Sequence, residues 1–126
     1  MDMMTTPEAP AAASGLDAML QWFEIHQLQE RYCAALDNNR LEDWAEMFTP
    51  DCLYEIVPKE NADMGLPIGV IYCTNQRMLR DRVLSLRHAN IYEEHACRHM
   101  TWGLTLAPVD ADTVDAVSSY VVVQAR

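Results

Sequence analysis

The chain has 126 residues, half of them apolar, which is one domain's worth of material and too little for a catalytic domain plus a separate cofactor domain. A formal net charge of −10 argues against nucleic acid and anionic membrane surfaces as partners, because both select clustered Lys and Arg. Cys33, Cys52, Cys73 and Cys97 are widely spaced with no C-x-x-C pair, and read as reduced thiols packed as small hydrophobes.

Residues 1–14 are rich in Ala, Thr, Pro and Met with few bulky groups, which predicts a disordered lead-in ahead of one domain over 15–126. The start has neither a basic segment nor a long apolar one, so it does not read as a secretion signal, and the chain reads as cytoplasmic. Ser14 followed by Asp17 has the capping-box spacing and opens a helix over Leu16–Leu36. Trp22, Ile25, Tyr32 and Leu36 form its apolar face, flanked by Leu28 and Cys33. Asp37-Asn38-Asn39 breaks it. Asn39 and Glu42 then have the spacing of a second capping box, which predicts a short helix running to about Phe48 before the Thr49-Pro50-Asp51 turn.

Cys52–Val57 alternates, with Cys52, Tyr54 and Ile56 on one face, and reads as a strand. Pro58–Pro67 reads as a loop and Ile68–Cys73 as a second strand. Thr74 or Asn75 caps a third helix from Gln76 to about His88, with Leu79, Val83 and Leu86 as its buried line. Cys97–Ala107 alternates again, placing Cys97, His99, Thr101, Gly103 and Thr105 opposite Arg98, Met100, Trp102, Leu104 and Leu106. Pro108–Asp112 is a hairpin loop, and Thr113–Val123 is a long Val-rich strand. Helices come in a block rather than alternating with strands, so the class is α+β.

Three constellations could carry chemistry. His95, Cys97 and His99 fall on one face of a strand, a spacing that zinc uses, but no fourth ligand is apparent and satisfied polar residues explain it as well. Tyr32, Asp37, Asp51, His88 and His99 could line an acid/base cavity, although Asp37 and Asp51 sit where carboxylates commonly cap backbone N–H groups. The arginines of the third helix, with Glu93 and Arg98 beyond it, suit either a solvated face or a protein interface. A Gly-rich phosphate loop, a serine nucleophile motif and Rieske-type Cys/His spacing are all absent from the sequence. No catalytic, cofactor-binding or metal residue is therefore assigned.

Tyr32 with Leu36-Asp37, Trp44, Phe48, Asp51 with Tyr54, Pro58-x-x-Asn61, Met78-Leu79-x-Asp81-Arg82-Val83-x-x-Leu86-Arg87 and Arg98-His99 together resemble the small (β) subunits of bacterial aromatic-ring-hydroxylating dioxygenases. Asn90-Ile91-Tyr92-Glu93-Glu94-His95 is most similar to those acting on aromatic carboxylates such as terephthalate. The resemblance implies the cone-shaped, SnoaL-like fold of nuclear transport factor 2 and ketosteroid isomerase, with three helices on a curved mixed sheet. It also implies further strands after the Val-rich one, so the chain reads as incomplete at its C-terminus. A large α subunit would hold the Rieske 2Fe-2S cluster and the mononuclear iron, in an α3β3 complex fed by NADH. This chain would then be structural and carry no cofactor, with Pro58–Pro67 and Arg87–Arg98 as contact segments and Arg82, Arg87, Glu93 and Arg98 as interface or salt-bridge residues. A stand-alone enzyme of the same fold, or a small-ligand binding domain, is the alternative.

Overall fold

The computed structural model describes residues 15–59, 71–88 and 96–125, so the predicted lead-in, the Ser14 cap and most of the Pro58–Pro67 loop lie outside the described residues. The elements run α1 (Gly15–Asp37), α2 (Leu41–Ala45), β1 (Tyr54–Ile56), β2 (Ile71–Cys73), α3 (Gln76–His88), β3 (Ala96–Pro108) and β4 (Val114–Ala125). They divide between two compact units. One contains α1 as far as Ala34 with Cys97–Val123; the other starts at Ala35 and carries α2, β1, β2 and α3.

In the first unit, β3 and β4 pair in a two-stranded sheet, and their short connection leaves only the antiparallel arrangement. The turn is closed by Val109 and Asp110 N–H groups donating to Thr113 O at 2.9 and 3.2 Å, and by Asp112 N–H donating to Asp110 Oδ1 at 2.8 Å. Two side-chain bonds tie α1 to this hairpin. Trp22 Nε1 donates to Leu104 O at 3.0 Å, and Gln29 Nε2 donates to Ser118 Oγ at 3.2 Å. Ile25, Gln29, Tyr32 and Cys33 are buried or half-buried, on the predicted face of the helix. Trp22 and Leu28 remain about two-fifths exposed (41% and 40%), so the stripe is covered less completely than its periodicity implies. Trp22 stacks on His26 one turn later, with centroids 5.0 Å apart and planes 6° off parallel.

The alternation of β3 does not run straight through, as the sequence pattern predicts. Cys97, His99 and Thr101 are half-buried, then the parity changes and Leu104 and Leu106 take the covered face. Gly103 stands at the change with φ of 71°. A glycine in the left-handed region is the usual device for adding one residue to a strand, and the extra residue swaps every side chain beyond it to the opposite face. The swap leaves Met100 and Trp102 outside while bringing Leu104 and Leu106 in, which strict alternation could not do.

The second unit is built from shorter pieces. β1 and β2 pair antiparallel with Tyr54 opposite Cys73, Glu55 opposite Tyr72 and Ile56 opposite Ile71. The predicted parity of β1 holds: Cys52, Tyr54 and Ile56 are half-buried, and Leu53, Glu55 and Val57 are exposed. Asn75 caps α3, its Oδ1 accepting from Met78 N–H at 2.9 Å, three residues on. Gln76, Leu79 and Val83 form the buried face of α3, which packs on α2, where Trp44 and Ala45 are buried, and on β2, where Cys73 is buried. Gln76 is buried without an orphaned amide nitrogen. Its Nε2 donates to Ala45 O at 3.0 Å and its backbone N–H to Pro50 O at 3.1 Å. Trp44, Phe48 and Tyr54 meet edge to face, at centroid distances of 5.1, 5.3 and 5.5 Å.

Three local expectations are corrected. α2 ends at Ala45 rather than Phe48, because Met47 and Phe48 N–H groups bond back three residues to Trp44 O and Ala45 O and tighten the chain ahead of Pro50. Leu86 is 53% exposed rather than buried, because the α3 face that meets α2 is centred toward Gln76, Val83 and Arg87, leaving Leu86 on the far flank. Asn39 does not cap α2, whose N-cap is Arg40 with no side-chain cap bond. Asn39 instead ends α1 with φ of 59°. Its N–H donates to Leu36 O at 3.2 Å while Arg40 N–H reaches Ala35 O at 2.8 Å, the paired bonds of a Schellman turn with asparagine in the left-handed position.

A Cβ at Gly103 would meet nothing within 4 Å, so substitution there tests backbone conformation alone. Gly103→Ala is expected to lower unfolding stability by about 1–2 kcal/mol in urea titration. Gly103→Asn is expected to recover part of that loss, since asparagine tolerates the left-handed region. Equal losses for the two variants would show that φ is not what the position requires.

Candidate functional site

The charged surface of the second unit is organised by two arginines of α3 that lie two turns apart and by two glutamates at α2, one turn apart. Arg80 donates Nε to Glu46 Oε2 at 2.8 Å and Nη2 to Glu46 Oε1 at 3.0 Å. Arg87 donates Nε to Glu42 Oε2 at 2.9 Å and Nη2 to Glu42 Oε1 at 2.8 Å. Its Nη1 also reaches Asn39 Oδ1 at 2.9 Å, and Nη2 reaches Asn39 O at 2.7 Å. Both pairs are the two-pronged arginine–carboxylate geometry. The pairing order, Arg80 with the later glutamate and Arg87 with the earlier one, sets α2 and α3 running in opposite directions. Arg87 thereby holds the α1 exit turn and α2 together.

These contacts polarise the groups that make them. The Arg87 hydrogen bonds, then the glutamate's own backbone bond and the Arg87 charge, hold the Glu42 carboxyl at about 2, below its ordinary 4.5. The Glu46 carboxyl is lowered by the Arg80 hydrogen bonds and charge. Arg80 and Arg87 are raised in return by the same bonds.

The four residues proposed from sequence as interface or salt-bridge groups therefore divide. Arg87 is a salt-bridge residue within its own chain, with four of its donor contacts made to Asn39 and Glu42. Arg82 on α3 and Arg98 on β3 are exposed. Glu93 lies outside the described residues, as does most of the Arg87–Arg98 segment. Sequence marked Asn39 and Glu42 only as a capping pair and Arg80 only as one of the third helix's arginines, and did not single out Glu46. The spacing of Glu42 and Glu46 on one helical row was a legible signal, but nothing in the sequence says which arginines face them.

The five cavity candidates also divide. Tyr32 and His99 are half-buried in the first unit. Asp37, half-buried, is the last residue of α1 and belongs to the second unit, together with Asp51 in the turn after Pro50 and His88 at the end of α3. Asp51 and His88 are exposed, and an exposed carboxylate and imidazole do not line an enclosed cavity. Cys97 and His99 do share a covered face of β3, while His95 lies outside the described residues. Among the described residues no cluster of three metal-capable side chains occurs, and no helix is long and apolar enough to cross a membrane. None of the four cysteines is in a disulfide; Cys33 and Cys73 are buried and Cys52 and Cys97 half-buried.

A family model described as a SnoaL-like domain matches residues 18–126. The chain belongs to the SnoaL-like family. It is 67% identical over 108 residues to the anthranilate 1,2-dioxygenase small subunit of Burkholderia cepacia, covering 86% of this chain and 67% of that one. It is 33% identical over 106 residues to subunit beta 2 of the terminal oxygenase component of terephthalate 1,2-dioxygenase from Comamonas sp, covering 84% and 69%. Among solved structures it matches a β subunit assigned to an aromatic-ring-hydroxylating dioxygenase from Novosphingobium aromaticivorans DSM 12444. That match has 41% identity and a TM-score of 0.79, over 86% of this chain and 69% of that one. The α+β class and the small-subunit resemblance read from the sequence agree with these matches.

Two measurements check the arginine network. Asn39→Gly keeps the turn conformation and loses the Oδ1 acceptor, whereas Asn39→Ala loses both, so the alanine variant is expected to be less stable by about 1 kcal/mol in thermal or urea unfolding. The second concerns acid. A carboxyl depressed in the folded state contributes stability that is complete above about 4.5, its unfolded value, and lost as pH falls through about 2. Glu42→Gln is expected to flatten the stability-versus-pH curve over that window; a curve of unchanged slope would show that the pair does not persist in solution.

Proposed function

We propose that this chain is the structural β subunit of a multicomponent ring-hydroxylating dioxygenase whose substrate is an aromatic carboxylate. The observation that carries this is the 67% identity over 108 residues to an anthranilate dioxygenase small subunit. Terephthalate is also a ring acid, and the small subunits named for it are the more distant relatives, so the shared substrate class is the ring carboxylate rather than one particular compound. On this reading a large α subunit holds a Rieske 2Fe-2S cluster and a mononuclear iron and activates O2 with electrons drawn from NADH. The β chain binds no cofactor and contributes shape and contact area to an α3β3 assembly. A complex supplied by NADH works in the cytoplasm, and a net charge of −10 disfavours nucleic acid and anionic membranes as partners.

Arg82 and Arg98 are the described residues best suited to meet a partner. Both are exposed, and arginine offers a planar fork for a partner's carboxylate. Glu93 belongs to the same proposal on sequence grounds. Arg87 does not compete for this role, because its donors are committed to Glu42 and Asn39.

Co-expression with the large subunit followed by size exclusion tests the assembly. The two chains are expected to elute together with ring-hydroxylating activity toward an aromatic acid, and the small chain alone to turn over none. Arg82→Glu and Arg98→Glu are each expected to weaken the complex by about tenfold or more, in proportion to a lost interfacial charge pair. Unchanged elution of either variant removes that arginine from the interface. Turnover of an aromatic acid by the isolated chain, abolished on changing His99 or Tyr32, would overturn the structural reading.

A further inference from the structure

No further inference is drawn: the strongest candidate, the exposed apolar stripe of Leu16, Met19, Leu20 and Phe23 on the first turns of α1, is an unpartnered helix face, and nothing in the structure shows what covers it.

Discussion

The left-handed turn at Asn39 is the constraint from which the second unit follows. A long helix must stop, release its last carbonyls and hand the chain to a five-residue helix across only Asn38, Asn39 and Arg40. The Schellman bonds of Asn39 and Arg40 do this by satisfying Leu36 O and Ala35 O, and they fix the angle at which the chain leaves α1. That angle presents Trp44 and Ala45 to Leu79 and Val83, and it places Glu42 and Glu46 beside Arg87 and Arg80. One positive φ thus sets both the apolar and the charged halves of the α2–α3 contact.

The two halves differ in weight. Solvent screens exposed ion pairs and leaves them weak, and both pairs here have largely exposed glutamates. Burial of a large apolar side chain contributes about 1.5–3 kcal/mol, and Trp44, Leu79 and Val83 are all buried. Packing therefore holds α2 on α3. The arginines choose the register, since a one-turn slip would break four donor contacts of Arg87 together. Gln76 reinforces the choice from inside, because its two bonds to Ala45 O and Pro50 O are available in one alignment only.

The first unit solves a different problem with the same kind of device. Its hairpin must offer α1 a covered face assembled from residues that do not alternate in sequence, and Gly103 resets the parity so that they do. Trp22 and Gln29 then fasten the helix to the strands through polar tips while their bodies lie along the contact. In the proposed complex the two units serve as scaffold, the second locked by caps and paired charges and the first by its parity change and its helix-to-strand bonds, with Arg82 and Arg98 at the surface for a partner.

The sequence by itself determined the class and most of the element boundaries, because hydrophobic period and capping chemistry are local. The third helix was legible in extent, with Thr74 or Asn75 as its cap and Leu79 and Val83 on its buried line, and so was the alternation that puts Cys52, Tyr54 and Ile56 on one face. The family resemblance was legible too, since it rests on scattered identities that need no coordinates. What only the tertiary structure decided was pairing across distance. Asn39 satisfies the rule for an N-cap and the rule for a C-terminal left-handed residue equally well, and only the bonds to Ala35 and Leu36 choose between them. Arg87 reads as an interface or salt-bridge residue without a named partner until Glu42 is brought to it from 45 residues away. A glycine in a strand does not announce a change of parity; the covered face of α1 selects it, because burial is a property of two surfaces and a sequence shows one at a time.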